Sequence, residues 1–137
     1  MKTPVLLPKC NIPEDGLCFF YCLMNWVEQQ KRSKLHLIGW KTGQKLLTKL
    51  TCIKFKPDEI RTIPKAIAEN TLYVPMSSSG IYVIRQLRHA FCHNALSYDE
   101  STGLYEIEMT EHVKISGKFS LDAVEEFVMT YIQISNQ

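Results

Sequence analysis

The chain has 137 residues, of which 45% are apolar and 22% are charged, with 16 Lys/Arg against 14 Asp/Glu and a net charge of +2. This length fits a single domain over residues 1–137, and the composition excludes a disordered chain, a collagen-like repeat and a purely structural coiled coil. No apolar run approaches the roughly 20 residues that span a bilayer, so a transmembrane protein is excluded as well. Because the first residues lack a signal-peptide core, we expect a cytoplasmic protein.

The charges are unevenly divided along the chain. Residues 1–68 carry 12 Lys/Arg and 5 Asp/Glu, a net of +7, whereas residues 69–137 have a net of −5. Residues 29–56 include eight Lys/Arg and no carboxylate. A basic face on a small domain favours a phosphate backbone such as RNA as partner, and the alternative is a solvated face that docks on the acidic half or on another subunit. The candidate RNA-binding residues of this region form one ridge at helical spacing: Lys41, Lys45 and Lys49.

In the first half of the chain, the pattern predicts mainly helices. Residues 1–12 contain proline at two positions and are followed by a third, so we expect an irregular lead-in. Apolar residues at steps of three and four then predict helices over about 14–32 and 44–55. Another helix is expected to start at Pro57, because proline suits the first helical turn. Residues 73–80 are predicted to be a loop whose serines cap the next helix.

The second half is predicted to form a helix, a hairpin and a last helix. The first of these helices covers about 81–96, and residues 104–109 alternate apolar and polar side chains as a half-buried strand does. Residues 112–115 are expected to pair with that strand. Ser120 is predicted to cap the last helix, whose apolar stripe runs over 121–132. The predicted fold class is therefore all-α, a helical bundle with one small β-hairpin before its last helix.

The helix predicted over 81–96 has a polar face with two arginines, two histidines and no acid: Arg85, Arg88, His89 and His93. Histidine exchanges a proton near neutral pH, and arginine holds phosphate oxygens as charge develops on them. Because RNA carries its own nucleophile in the 2′-OH, this face suits RNA cleavage without a metal. The structural alternative is that His93 caps the C-terminal end of the helix, where a positive imidazole is favourable.

Residues 87–94, Leu-Arg-His-Ala-Phe-Cys-His-Asn, resemble the R-[N/H/D]-x3-H signature of the HEPN superfamily, small helical-bundle proteins that include many metal-independent endoribonucleases. The resemblance implies that Arg88 stabilises the phosphate, His93 acts as general base or acid and His89 orients the phosphate or its partner. Arg85, on the same polar face, is a further candidate RNA-binding residue. It also implies a homodimer with one composite site, in a toxin or phage-defence ribonuclease that has an antitoxin or nucleotidyltransferase partner. The family includes non-catalytic RNA- or protein-binding modules, which are the alternative.

A second segment, Asp15-Gly16-Leu17-Cys18-Phe19-Phe20, resembles the D-G-x-C-[FL]-[FY] segment of OTU-type cysteine proteases. That resemblance implies a nucleophilic Cys18 activated at a helix N-terminus, with a distant histidine such as His112 as the base. Leu17 stands where that family usually has Asn, and the chain is short for its fold. The structural alternative places Phe19 and Phe20 in the core of the first helix.

The five cysteines are predicted to be reduced thiols, because their number is odd and no export signal is present. The spacing of Cys10, Cys18 and Cys22 does not match a zinc knuckle, and no HxE or CxxC pair suggests a deaminase. The sequence therefore predicts neither a metal nor a cofactor.

Overall fold

The computed structural model describes residues 11–33 and 48–135. Over these residues, it contains three α-helices, five strands and a short 3₁₀ helix over Pro57–Thr62. The helices and strands in chain order are α1 (Glu14–Ser33), β1 (Thr51–Phe55), β2 (Thr71–Pro75), α2 (Gly80–Cys92), β3 (Leu96–Asp99), β4 (Leu104–Ile107), β5 (Ser116–Phe119) and α3 (Leu121–Ser135).

The five strands form one mixed sheet in the order β1-β2-β5-β4-β3. β1 and β2 are parallel, with Thr51 opposite Thr71, and the other pairs are antiparallel. A parallel pair needs a crossover of about a dozen residues, which the 3₁₀ helix and the residues after it provide. In the antiparallel pair of β4 and β5, Tyr105 lies opposite Phe119.

The expected all-α helical bundle is wrong, because a five-stranded sheet forms the centre of the domain. The helix predicted over 44–55 is wrong over Thr51–Phe55, which forms strand β1, and residues 44–47 lie outside the described residues. Residues 73–75, predicted to be loop, belong to β2. Both errors have one cause: β1 and β2 are stabilised by pairing with each other and, for β2, with β5, and local periodicity does not reveal a distant partner.

Several predictions of elements and caps are confirmed. Helix α1 matches the helix predicted over 14–32, and β4 falls within the strand predicted over 104–109. The Ser79 hydroxyl accepts a hydrogen bond of 3.2 Å from the Tyr82 N–H, and Ser120 accepts one of 3.2 Å from the Ala123 N–H. Serines therefore cap α2 and α3, satisfying backbone donors that a helix start leaves unpaired.

Four aromatic rings form a continuous column from α2 to β5. Phe91 of α2 stacks on Phe20 of α1 with ring centroids 5.6 Å apart. Phe20 contacts Tyr105 of β4 at 6.0 Å, and Tyr105 stacks on Phe119 of β5 at 6.1 Å. Such pairs contribute about 0.5–1.5 kcal/mol each beyond the burial of their area. The column attaches α1 and α2 to one face of the sheet, which we call the core face.

The opposite face of the sheet carries charged side chains. Because side chains alternate along a strand, Glu106 and Lys118 point away from the core face that holds Tyr105 and Phe119. Residues 60–67 lie against this charged face and leave a cleft between them and the sheet.

Gly16, in the first turn of α1, lies directly against the phenol of Tyr105. A Cβ at this position would overlap the Tyr105 hydroxyl. That hydroxyl is buried, with Tyr105 only 1% exposed, and it has no hydrogen-bond partner among the described residues. Burial, with a smaller contribution from Asp15, raises the pKa of Tyr105 to about 12. The absence of a side chain at Gly16 therefore lets the start of α1 reach the sheet.

We expect Gly16→Ala to lower the free energy of unfolding by up to about 2 kcal/mol, because overpacking costs about 1–3 kcal/mol while alanine gains about 1 kcal/mol over glycine in a helix. Tyr105→Phe removes the overlapping oxygen and leaves no partner unsatisfied, so the double variant should be more stable than Gly16→Ala alone. Urea unfolding measures both effects. Gly80→Ala, whose Cβ would overlap the ring of Tyr131 instead, is the matched control that Tyr105→Phe should not rescue. Equal stability of Gly16→Ala with and without Tyr105→Phe would contradict this account.

Candidate functional site

Three histidines meet where α2 ends, and we call them the histidine cluster. The imidazoles of His93 and His112 are stacked with centroids 5.0 Å apart and an angle of 18° between their planes. The imidazole of His89 lies 5.7 Å from that of His93. His93 and His112 are exposed and His89 is half-buried. The cluster therefore presents two adjacent imidazoles to solvent and a third behind them.

The end of α2 positions His93. The helix was predicted to continue to residue 96, but it ends at Cys92, with His93 as the C-cap. Asn94 has a φ of +58°, and the Ala95 N–H donates to the Ala90 carbonyl at 2.9 Å. This left-handed residue and its long backbone hydrogen bond form a Schellman-type helix end. The structural reading of His93 as the helix cap is thus correct, and the same position leaves its ring exposed at the surface.

The loop between β4 and β5 positions His112. Thr110 Oγ1 accepts hydrogen bonds from the N–H groups of His112 (3.2 Å) and Val113 (3.0 Å). The buried Gln86 of α2 accepts one of 2.8 Å from the Lys114 N–H. Residues 112–115, predicted to be a strand, therefore form a loop fastened to α2, and β5 starts only at Ser116. In the sequence, this attachment is indicated by Gln86, a polar residue on the apolar side of the helix.

Arg88 forms an ion pair with a carboxylate of the same chain. Its Nη2 lies 2.7 Å from Glu28 Oε1 of α1, and the two side chains are 21% and 46% exposed. This ion pair, together with the contact between Cys92 and Met24 at 3.7 Å, joins α1 to α2. The guanidinium predicted to hold a phosphate thus already faces a carboxylate.

The remaining predicted RNA-binding residues are spread over the chain. Arg85 is exposed on α2, two turns before His93. Lys49 is exposed on the segment before β1, and its backbone N–H donates to Glu126 of α3 at 2.8 Å. Lys41 and Lys45 lie outside the described residues. No hydrogen bond or ion pair joins Lys49 to the histidine cluster in the part of the chain that the structure describes.

Cys18 lies on the outer face of α1. It is the fifth residue of the helix and is exposed, two positions before the buried Phe20. Among the described residues, no histidine is hydrogen-bonded to Cys18, and His112 stacks on His93 instead. The structure therefore does not bring together the thiol and the base that the OTU resemblance implies.

Among residues 11–33 and 48–135, no group of three or more His, Cys, Asp or Glu side chains is arranged to hold a metal ion. None of the helices in these residues is long and apolar enough to cross a membrane. Comparisons of the chain with protein-family profiles, curated proteins and solved structures give no match.

We expect the Arg88–Glu28 pair to contribute measurably to stability, with Arg88→Ala and Glu28→Ala each destabilising the fold and the double variant losing less than the sum. For a pair this accessible, the coupling energy should be about 0.5–1 kcal/mol and should fall with added salt. Urea unfolding of the four proteins in low and high salt provides the double-mutant cycle. Strictly additive losses would mean that Arg88 is available for another partner.

Cys52 should resist alkylation in the folded protein while Cys18, Cys22 and Cys92 react. Burial raises the pKa of the Cys52 thiol to about 12, and Lys54 lowers it by less. At pH 8, such a thiol is a thiolate in about one molecule in ten thousand, whereas the other three side chains are exposed. Iodoacetamide labelling followed by peptide mass spectrometry measures each rate, and labelling in urea is the control in which Cys52 should react. Labelling of Cys52 as fast as Cys18 without urea would contradict the prediction.

Proposed function

We propose that this protein binds single-stranded RNA and cleaves it without a metal ion, with His93 and His112 as the acid–base pair. The observation that carries the proposal is the pair of exposed imidazoles at 5.0 Å. One neutral imidazole takes the proton of the 2′-OH, which attacks the adjacent phosphorus. The other, protonated imidazole gives a proton to the departing 5′ oxygen. The products are a 2′,3′-cyclic phosphate and a free 5′-OH, and the two histidines exchange protonation states.

A line of side chains on α2 supports the RNA-binding part of the proposal. Arg85, His89 and His93 follow one another at intervals of four residues, so they span about 12 Å on one side of the helix. Arg85 is exposed at one end and the histidine pair stands at the other. An extended strand lying along this line would place one phosphate at the pair and a neighbouring one near Arg85, whose guanidinium binds phosphate oxygens through two donors.

Arg88 has a different role in this proposal from the one that its motif implies. Because its guanidinium contacts Glu28 at 2.7 Å, we assign it to positioning α2 against α1. His89 supports the ring of His93 from the preceding turn. Both histidines of the proposed pair belong to one chain, so the reaction needs no second copy. The proposal thus keeps the reaction suggested by the sequence but rests on different residues.

The test is cleavage of a mixed RNA pool in EDTA. Wild type should give products ending in 2′,3′-cyclic phosphate, and His93→Ala and His112→Ala should each reduce the rate by roughly 100-fold or more, because general acid–base groups contribute at least that factor. Met129→Ala, at an exposed position of α3, is the control variant and should retain the rate. Circular dichroism and urea unfolding confirm that each variant is folded.

Further controls separate the roles of the other residues. Arg85→Ala should weaken RNA binding and reduce its salt dependence. Arg88→Ala and Glu28→Ala should change cleavage to the same small extent, since either change opens the same ion pair. Mixing His93→Ala with His112→Ala should restore no activity, whereas restoration would indicate a composite site between two chains. RNA binding without cleavage by wild type would overturn the catalytic proposal in favour of a non-catalytic binding module.

A further inference from the structure

A cleft of about 280 Å³ lies on the charged face of the sheet, and no residue of the histidine cluster lines it. One wall is formed by residues 60–67 of the crossover between β1 and β2, and the floor is formed by β4, β5 and the residues after β4. The floor strands are central in the sheet and hydrogen-bonded on both sides, so a ligand here must be recognised by side chains.

The crossover wall is apolar and incompletely covered. It presents Ile60, Ile63 and Ile67 to the cleft, and Met109 lies on the other side. Ile60 is 47% exposed, and the 3₁₀ helix that carries it has no buried residue. Ile63 and Ile67 are half-buried, so this wall leaves apolar area that a branched aliphatic group would cover.

The same cleft carries charges of both signs. Lys118 Nζ lies 3.4 Å from Glu106 Oε1, longer than the 2.7–2.9 Å of a close charge-assisted hydrogen bond. The side chains of Lys118 and Glu106 are 28% and 40% exposed, and the exposed Lys65 and Glu108 also line the cleft. Two ammonium groups and two carboxylates therefore stand around an apolar wall, each with capacity for another partner.

We infer that this cleft binds a free aliphatic α-amino acid. The ammonium group of the ligand would face Glu106 and Glu108, and its carboxylate would face Lys118 and Lys65. Its branched side chain would lie on the isoleucine wall. At about 280 Å³, the cleft has room for a molecule of the size of leucine. The balance of charges favours a zwitterion over a simple anion or cation.

The test is a titration of the ¹⁵N-labelled full chain with L-leucine, followed by amide chemical shifts. We expect saturable shifts confined to residues 60–67, 106–109 and 116–118, with a Kd on the order of 1 mM for so small a ligand. 4-Methylpentanoate and 3-methylbutylamine each lack one charge of leucine and should bind about tenfold more weakly.

A matched pair of variants tests the apolar wall. Ile60→Ser should weaken leucine binding about tenfold, whereas Ile53→Ser, at a 41%-exposed isoleucine of edge strand β1, should leave it unchanged. Shifts that do not saturate, equal binding of the singly charged analogues, or unchanged binding in Ile60→Ser would each overturn the inference. Tighter binding of leucine with both ends blocked would overturn it too, and would indicate a site for a peptide side chain. RNA cleavage is not part of this readout, so the two proposals fail independently.

Discussion

The close approach of α1 to the sheet is the contact on which the rest of the domain depends. Gly16 has no side chain, so the first turn of α1 can rest on Tyr105, and Phe20 one turn later joins the aromatic column. The same column continues to Phe91 and so positions α2. Because interiors are packed as densely as organic crystals, a displacement of α1 at this point would be transmitted to α2.

The histidine cluster depends on that packing indirectly, through the position of α2. His93 is placed by the end of α2. His112 is placed by a loop that Thr110 stabilises internally and that Gln86 holds against the same helix. The geometry of the pair therefore requires α2 and the loop to be held in one relative position. Gln86 is buried, so its contact with the Lys114 N–H also satisfies a polar group that would be costly to leave unpaired.

The two faces of the sheet have different roles in the protein. The core face buries aromatic and aliphatic side chains under α1 and α2, and its contribution is stability. Among the described residues, the crossover between β1 and β2 lies across the charged face, and its isoleucines remain partly exposed. A parallel pair of strands requires a crossover of this length, and where that crossover packs incompletely it leaves a cleft. The proposed amino-acid site is thus a consequence of the sheet topology.

Local signals in the sequence were sufficient for α1, for most of α2 and α3, for the serine caps and for β4, because helix hydrogen bonds and caps join residues a few positions apart. They also placed His89, His93 and Arg85 on one side of α2. Only the tertiary structure decided the sheet, since β1 and β2 pair with residues far along the chain and one of them had the periodicity of a helix. It likewise decided that Arg88 faces Glu28 and that His112 stacks on His93. The first contact joins residues 60 positions apart and the second joins residues 19 positions apart. Both form, and contribute to stability, only when the chain folds.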